Sequence, residues 1–466
     1  MESRTGLRPA AVALLVALAS PAAGQQAPRD TVALTLQEAV ALALSTSEEI
    51  ATARTQRALA DAQITQARAG AFPQITGNVV YNRTLASLFD NIQFGPEPEP
   101  GEEPGENPFA NLPFGRENAW SATLQITQPL YTAGRVGTAL AIARNVRAAA
   151  DFQVEESQAE IALQVRQAYF QTVLADEMVD IAREAFELAD ATLRQVELFR
   201  QQGTAAEFDV LRARVERDNL EPGIIEAQNA RRLAELNLKR LIHLPAEQPI
   251  EPVTALTPVI SDVDRAELRA SLNRRPALRA LNEQVAAREG AVRIARADYL
   301  PSVGAAGNFT YQAFPTGLSP LDTDWRRDWS VAVQASVPLF NGFRTKGQVD
   351  QARAELRLAE LQQAQVRQGL ELELEAALGE FDAARARIEA RRATVAQAER
   401  TLELAELRFR TGLATQLDIS NARLLLQQAR VNEAQSLFNY LNALARLERV
   451  SGGEVPLVQP RLPGGE

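Results

Sequence analysis

The sequence predicts a mainly α-helical protein with four short β-strands, laid down twice in one chain. Three observations predict it: two long proline-free stretches whose apolar residues recur every three or four positions, two pairs of runs that alternate apolar and polar residues, and a match between the two halves of the chain. The middle of each half is marked by a glycine turn, "LFRQQGTAAEFDV" at 198–210 and "RFRTGLATQLDIS" at 408–420, where a long helix reverses.

The chain opens on residues 1–24, which read as a secretory signal peptide. Arg4 and Arg8 precede the apolar run "AAVALLVALA", and the small residues of "PAAG" place cleavage after Gly24. That run is too short for a spanning helix, and no later segment approaches one, so any membrane insertion must use strands. Among 466 residues there is no Cys and one His. Disulfides and thiolate metal sites are therefore excluded, and neither a metal nor a cofactor is expected. His243 reads as a helix-end residue without a chemical role, and with no nucleophile or phosphate-loop motif a secreted enzyme is a poor alternative. The 49 basic and 59 acidic residues give a net charge of −10, which argues against a nucleic-acid partner.

Each copy reads as helix, strand, loop, strand, long helix, turn, helix. The first spans 25–242 and the second 263–450, with a Pro-rich connector at 243–262 and a tail at 451–466 expected to be disordered. Pro129 answers to Pro338, Arg135 to Arg344 and Asp209 to Asp418 at one constant offset. Pro73 and Pro301 lie further apart, so the first copy holds an insertion between residues 82 and 120, where "FGPEPEPGEEPGENPF" sits. The acidic stretch 95–106 reads as a solvated loop.

In the strands, Trp120, Ala122, Leu124 and Ile126 alternate with Ser121, Thr123, Gln125 and Thr127. Trp329, Val331, Val333 and Ala335 do the same with Ser330, Gln334 and Ser336, and the earlier strands carry Ile75, Val79, Tyr81 and Val303, Phe309, Tyr311 on one face. About ten residues with aromatics near the ends suit a tilted bilayer-crossing strand. A half-buried soluble hairpin gives the same alternation, and on this pattern both readings stand. Pro73, Pro129 and Gly134 mark the strand–helix junctions of the first copy; Pro301, Pro338 and Gly342 mark those of the second.

The runs 136–200 and 345–410 predict helices on the order of 100 Å long, with alanine-rich seams suited to close coiled-coil packing. Gly203 and Gly412 supply the left-handed residue that ends each helix, and Thr204 with Glu207 and Thr415 with Asp418 have the spacing of capping boxes for the returning helix.

In this order and in duplicate, "ARADYLPSV" at 295, "PLYTAGR" at 129, "VPLFNGFR" at 337 and "RFRTGLATQLDI" at 408 make the chain resemble the TolC-like outer-membrane factor family, from Leu34 to about Val450. The resemblance implies a homotrimer whose four strands per chain close a twelve-stranded outer-membrane β-barrel, continued by a long periplasmic α-helical barrel. It further implies an outer-membrane channel of a tripartite efflux pump or type I secretion system, a passive gated exit duct. Its partners would be a periplasmic adaptor (membrane fusion) protein, an inner-membrane pump of RND, ABC or MFS type, and outer-membrane lipid. Adaptor docking and the gate would then fall at the hairpin tips, on Gly203, Thr204, Asp209, Gly412, Leu413, Thr415, Asp418 and Asn421. Asp418 matches the first of two constricting aspartates of the family, but Asn421 stands at the second and Ala414 where the best-known member has Arg. Asp418 reads equally well as the closing residue of a cap. No Cys follows the leader to carry a lipid anchor. The alternative from a different class is a soluble periplasmic coiled-coil scaffold or adaptor.

Overall fold

The computed structural model describes residues 31–86, 116–255, 262–321, 323–391, 393–453 and 457–458. The leader 1–24 and the acidic segment 95–106 lie outside the described residues.

Strand β1 (Val32–Leu34) leads into α1 (Leu36–Thr46) and α2 (Glu48–Ala69). A reciprocal cap starts α1: the Thr35 hydroxyl accepts the Glu38 N–H at 3.2 Å and the Glu38 carboxylate accepts the Thr35 N–H at 2.9 Å. Strands β2 (Gln74–Arg83) and β3 (Asn118–Tyr131) follow, then α3 (Arg135–Gln201), α4 (Glu207–Asp218) and α5 (Glu221–Leu241). Short strands β4 (Ile250–Pro252) and β5 (Asp262–Val263) introduce α6 (Arg265–Ser271) and α7 (Pro276–Ala297). The second copy continues with β6 (Ser302–Ala313), β7 (Arg326–Ser336), α8 (Arg344–Arg391), α9 (Thr394–Arg410) and α10 (Gln416–Ser451), and β8 (Leu457–Val458) closes it.

The four long strands form one antiparallel sheet in the order β2-β3-β6-β7, so the two copies join through β3 and β6. The register keeps side chains of one kind together across all four strands. On one face Tyr81 lies opposite Trp120, Ile75 opposite Ile126, Leu124 opposite Phe309, and Phe309 opposite Trp329. The other face holds Asn78, Thr123, Thr310 and Ser330, and the Thr123 and Thr310 hydroxyls share a hydrogen bond of 3.2 Å. The apolar face is uncovered: Trp329 is 71%, Val331 73% and Val79 71% exposed. No helix among the described residues is long and apolar enough to cross a membrane.

The first long helix runs as expected: α3 has 67 residues, about 100 Å at 1.5 Å per residue. The second differs from the expectation. Instead of one helix over 345–410, α8 stops at Arg391 and α9 starts at Thr394. No proline or glycine marks this break, and apolar periodicity continues through it, so sequence pattern alone cannot reveal it. In the first copy the returning limb is the broken one, at Asn219–Leu220, with Pro222 in the first turn of α5. Each hairpin thus pairs one continuous helix with one interrupted helix. The continuous helices α3 and α10 are rich in buried alanine, including Ala168, Ala175, Ala434 and Ala443, and Ala434 packs against Leu174 and Ile181 between them. Higher up, α7 comes so close to α3 that a Cβ on Gly290 would stand 2.5 Å from an Ile142 side-chain carbon.

Two apolar clusters surround the middle of the helical body. One gathers Ile50, Val165, Tyr169, Leu238 and Ile242, and the Tyr169 hydroxyl ties Leu34 and Thr254 at 2.8 and 2.9 Å. The other gathers Leu268, Leu374, Phe381, Tyr440 and Leu447. The short strands pair here, β1 with β4 in parallel and β5 with β8 antiparallel. This corrects two expectations. The connector 243–262 contributes β4 and the first residue of β5, and the tail expected to be disordered from 451 contains the helical Ser451 and the paired residues Leu457–Val458. These three strands are two or three residues long, below the length at which alternation can be read.

Arg275 fastens this region. Its side chain is 1% exposed, and its guanidinium donates to the Arg449 and Val450 carbonyls at the C-terminus of α10 and to Glu156 of α3, at 3.1, 2.9 and 3.1 Å. A cation here satisfies open helix carbonyls and complements the helix dipole. Arg275→Ala would remove the guanidinium from the Val450 carbonyl and leave Glu156 and the Arg449 carbonyl with one partner each, Arg449 and the Gly452 N–H, with an expected loss of about 1–3 kcal/mol. The check is the urea midpoint of the helical circular-dichroism signal; a midpoint equal to wild type would refute the assignment.

Candidate functional site

The two hairpin turns lie side by side. Each outgoing helix ends on a glycine in the left-handed region, Gly203 at φ 77° and Gly412 at φ 74°. The chain after each glycine bonds back in the same way: Thr204 N–H to the Phe199 carbonyl and Gly203 N–H to Arg200, both 2.9 Å, and Leu413 N–H to Arg408 and Gly412 N–H to Phe409, 2.7 and 3.0 Å. This double bond pattern needs a left-handed residue at that position, which is why glycine stands there twice.

The starts of the returning helices differ. Thr415 and Asp418 form the cap that their spacing suggests, with the Asp418 carboxylate accepting the Thr415 N–H at 2.7 Å and its hydroxyl at 2.8 Å. The expected box of Thr204 with Glu207 does not form. The Thr204 hydroxyl donates back to the Phe199 carbonyl at 3.0 Å, so the cap of α4 falls two residues later at Ala206, whose N–H is accepted by Asp209 at 3.1 Å. Glu207 pairs with Arg200 instead, at 3.4 Å.

Between the turns is a cleft of about 590 Å³, lined by Phe199, Thr204, Asp209, Phe409, Gly412 and Thr415. The Phe199 and Phe409 rings meet across it at 5.9 Å between centroids. Gln416 is buried, and its side-chain amide, oriented to satisfy both neighbours, donates to the Asp209 carbonyl and accepts from the Ala213 N–H, each at 3.2 Å. On the outside, Leu413 is 71% and Phe208 69% exposed. Asn421 is not at the turn. It lines a second cleft of about 290 Å³ further up, with Glu216, Ser420, Arg423 and Arg430.

In that cleft α10 is tied to the first hairpin by polar pairs: Ser420 to Glu216, Arg423 to Thr192 and Arg430 to Glu184. Burial pushes the Arg423 guanidinium below its ordinary value, against the attraction of Glu216 and Glu406. These pairs, the aromatic contact and Gln416 join residues roughly 200 or more positions apart in the chain, and no local motif announces them. The repeat offset was the one available signal, since it sets the two turns in register.

At the opposite end of α3 and α8 the strand–helix junctions also differ in detail. Pro73 and Pro301 precede β2 and β6, where a missing N–H costs no ladder bond, and Pro338 follows β7. Pro129 lies within β3, at a register shift against β6. Two successive residues are left-handed at each junction, Ala133 and Gly134 in one copy, Gly342 and Phe343 in the other. Glycine occupies the second position in the first copy and the first in the second. His243 ends α5 in the same left-handed conformation, φ 55°. Among the described residues no three His, Cys, Asp or Glu side chains are grouped to hold a metal ion.

A family model described as "Outer membrane efflux protein" matches residues 39–242 and 268–453, one segment in each copy. The chain is 26% identical over 374 residues to the alkaline protease secretion protein AprF of Pseudomonas aeruginosa, covering 75% of this chain and 74% of that protein. It is 25% identical over 357 residues to the toluene efflux pump outer membrane protein TtgF of Pseudomonas putida, covering 73% and 70%. Among solved structures, the outer membrane protein VceC from Vibrio cholerae superimposes with a TM-score of 0.73 at 21% identity, covering 90% of this chain and 96% of that one.

The Thr415 N–H, ahead of its hydroxyl, holds the Asp418 carboxyl below its ordinary value of 3.8. A depressed carboxyl stabilises the fold above the unfolded value and loses that contribution as pH falls through the folded one. The protection of the peptide spanning 413–420 against hydrogen exchange, taken relative to the intrinsic rate at each pH, is therefore expected to fall below about pH 4. In Asp418→Asn this acid step should vanish; an unchanged acid response in the variant would show that another group controls the turn.

Proposed function

The chain belongs to the outer membrane efflux protein family, and from that premise we propose how this outer-membrane export channel is closed, docked and gated. Three copies close the barrel: the free edge of β7 in one copy pairs with the free edge of β2 in the next, giving a ring of twelve strands. One observation carries this reading, the sheet whose four strands keep one apolar and one polar face while both edges stay unpaired. The apolar face meets lipid and the polar face lines the lumen. A soluble scaffold would leave Trp329, Val331 and Val333 against water, with no element among the described residues to cover them.

Below the sheet the helix hairpins continue the duct through the periplasm and end at the glycine turns. There Leu413 and Phe208 offer apolar contacts to a periplasmic adaptor protein, and the tight turns at Gly203 and Gly412 let its helices approach closely. Free energy for transport comes from an inner-membrane pump of RND, ABC or MFS type, while this protein supplies the conduit. The named relatives serve protease secretion and toluene efflux, so ducts of this family carry two unlike cargoes. Asp418 serves the turn through Thr415, and the connection that resists opening is the set of ties from α10 to the first hairpin at Gln416, Ser420, Arg423 and Arg430. Opening is a rearrangement of one hairpin against the other, between two packings.

Light scattering on the detergent-solubilised protein is expected to give a trimer mass; a monomer soluble without detergent would overturn barrel closure. Cysteines at Ala205 and Ala414, which line the cleft between the turns, are expected to block export when cross-linked and to restore it on reduction. Undiminished export in the cross-linked state would rule out gating by these turns.

A further inference from the structure

The loop ends of the strands, furthest from the helices, form the outer rim of the sheet. On the apolar face of this rim Arg327 and Trp329 follow one another along β7, Trp325 stands just ahead of the strand, and Tyr311 lies directly opposite Arg327 on β6. The Tyr311 and Trp325 rings are 6.5 Å apart, and Trp329 stands almost free. Arg327 is exposed and has no carboxylate within ion-pair distance among the described residues. Its neighbour Arg326 points to the polar face, as alternation requires. At the other edge, Arg83 ends β2 on the apolar face, in an exposed pair with Glu117 at 3.8 Å. The rim ring of Trp120 is anchored as well, its indole N–H donating to the Leu318 carbonyl at 2.9 Å.

A guanidinium set among aromatic rings at the edge of a hydrocarbon layer has one kind of complement, an anion that sits at the level of lipid head groups. Arginine binds phosphate through a two-pronged fork, and tryptophan and tyrosine rings fix the depth of the surrounding wall. We propose that Trp325, Arg327, Trp329 and Tyr311, with Arg83 of the adjoining copy, seat the phosphorylated head group of an outer-leaflet lipid. The seat rests on the barrel reading above: closure brings the β7 edge of one copy beside the β2 edge of the next, and Arg327 and Arg83 both lie near the loop ends of those edges, so each seam carries an arginine from either copy. The bound lipid then bridges two copies and strengthens the ring where its strands join.

The test uses the full-length protein extracted from outer membrane, with bound lipid counted by native mass spectrometry and the mass of the particle read in the same spectrum. The probe is purified lipopolysaccharide, compared with the same lipid after removal of its phosphates. Wild type and Arg326→Gln, whose side chain faces the lumen, are expected to bind the phosphorylated lipid equally. Arg327→Gln combined with Arg83→Gln should bind it roughly tenfold more weakly or worse, and Arg327→Lys should recover part of the loss. Equal binding by the double variant, or equal binding of the dephosphorylated lipid to wild type, would overturn the seat. Release of the lipid by inorganic phosphate alone would do so too, because the site would then recognise a free anion. Should the double variant fail to assemble, the wild-type comparison of the two lipids decides alone. A particle of monomer mass would overturn the barrel, and with it the seat, and the spectrum separates that outcome from a trimer that binds no lipid.

Discussion

The two open edges of the four-stranded sheet constrain everything else in this molecule. In hydrocarbon each unpaired backbone N–H or C=O costs several kcal/mol, and β2 and β7 each present a full row of them. A single copy cannot curl four strands into a closed ring with a lumen, so in the proposed barrel edge meets edge between copies. Insertion and assembly are then one event. The apolar face presses the strands toward lipid, while the edges forbid that environment until the neighbouring copy has arrived. The helical body has to hold its copies at a spacing that the strands can close, which makes the buried attachments around Arg275, Tyr169 and Phe381 as important to the barrel as the strands themselves.

The duplication is close in plan and loose in detail. The glycine turns repeat down to their hydrogen bonds, yet the returning helices start differently, and the interrupted limb is the second of one hairpin and the first of the other. Glycine even changes place between the two strand–helix junctions while the backbone keeps both residues left-handed. What is repeated is backbone geometry that admits few solutions. What has drifted is side-chain chemistry that packing can satisfy in several ways.

This division also governs what was legible in the sequence. The strand alternation, the length of α3 and the turn glycines could be read because each depends on residues a few positions apart. The break after Arg391 could not, since the apolar stripe runs on through Ile388, Val395 and Ala398. Thr204 was misread because two neighbouring signals competed: the hydroxyl that might have capped α4 was already used in closing α3. Gln416, Arg423 and the Phe199–Phe409 contact depend on which helices become neighbours, and only the fold supplies that information.

The unbroken run of α3 has a mechanical meaning. From Gly134 beside the sheet to Gly203 at the far end, one continuous helix spans the whole periplasmic body, with no hinge to absorb strain. Such a rod acts as a gauge: it fixes how far below the membrane the lower end hangs, at about 1.5 Å for each residue. Bending is left to the limbs that are interrupted, α4–α5 and α8–α9, which lie alongside the rods without setting their length. On the opening proposed above, the width at the lower end changes while the reach stays constant, and an insertion or deletion within α3 would shift the far end axially as well as rotate it about the helix axis.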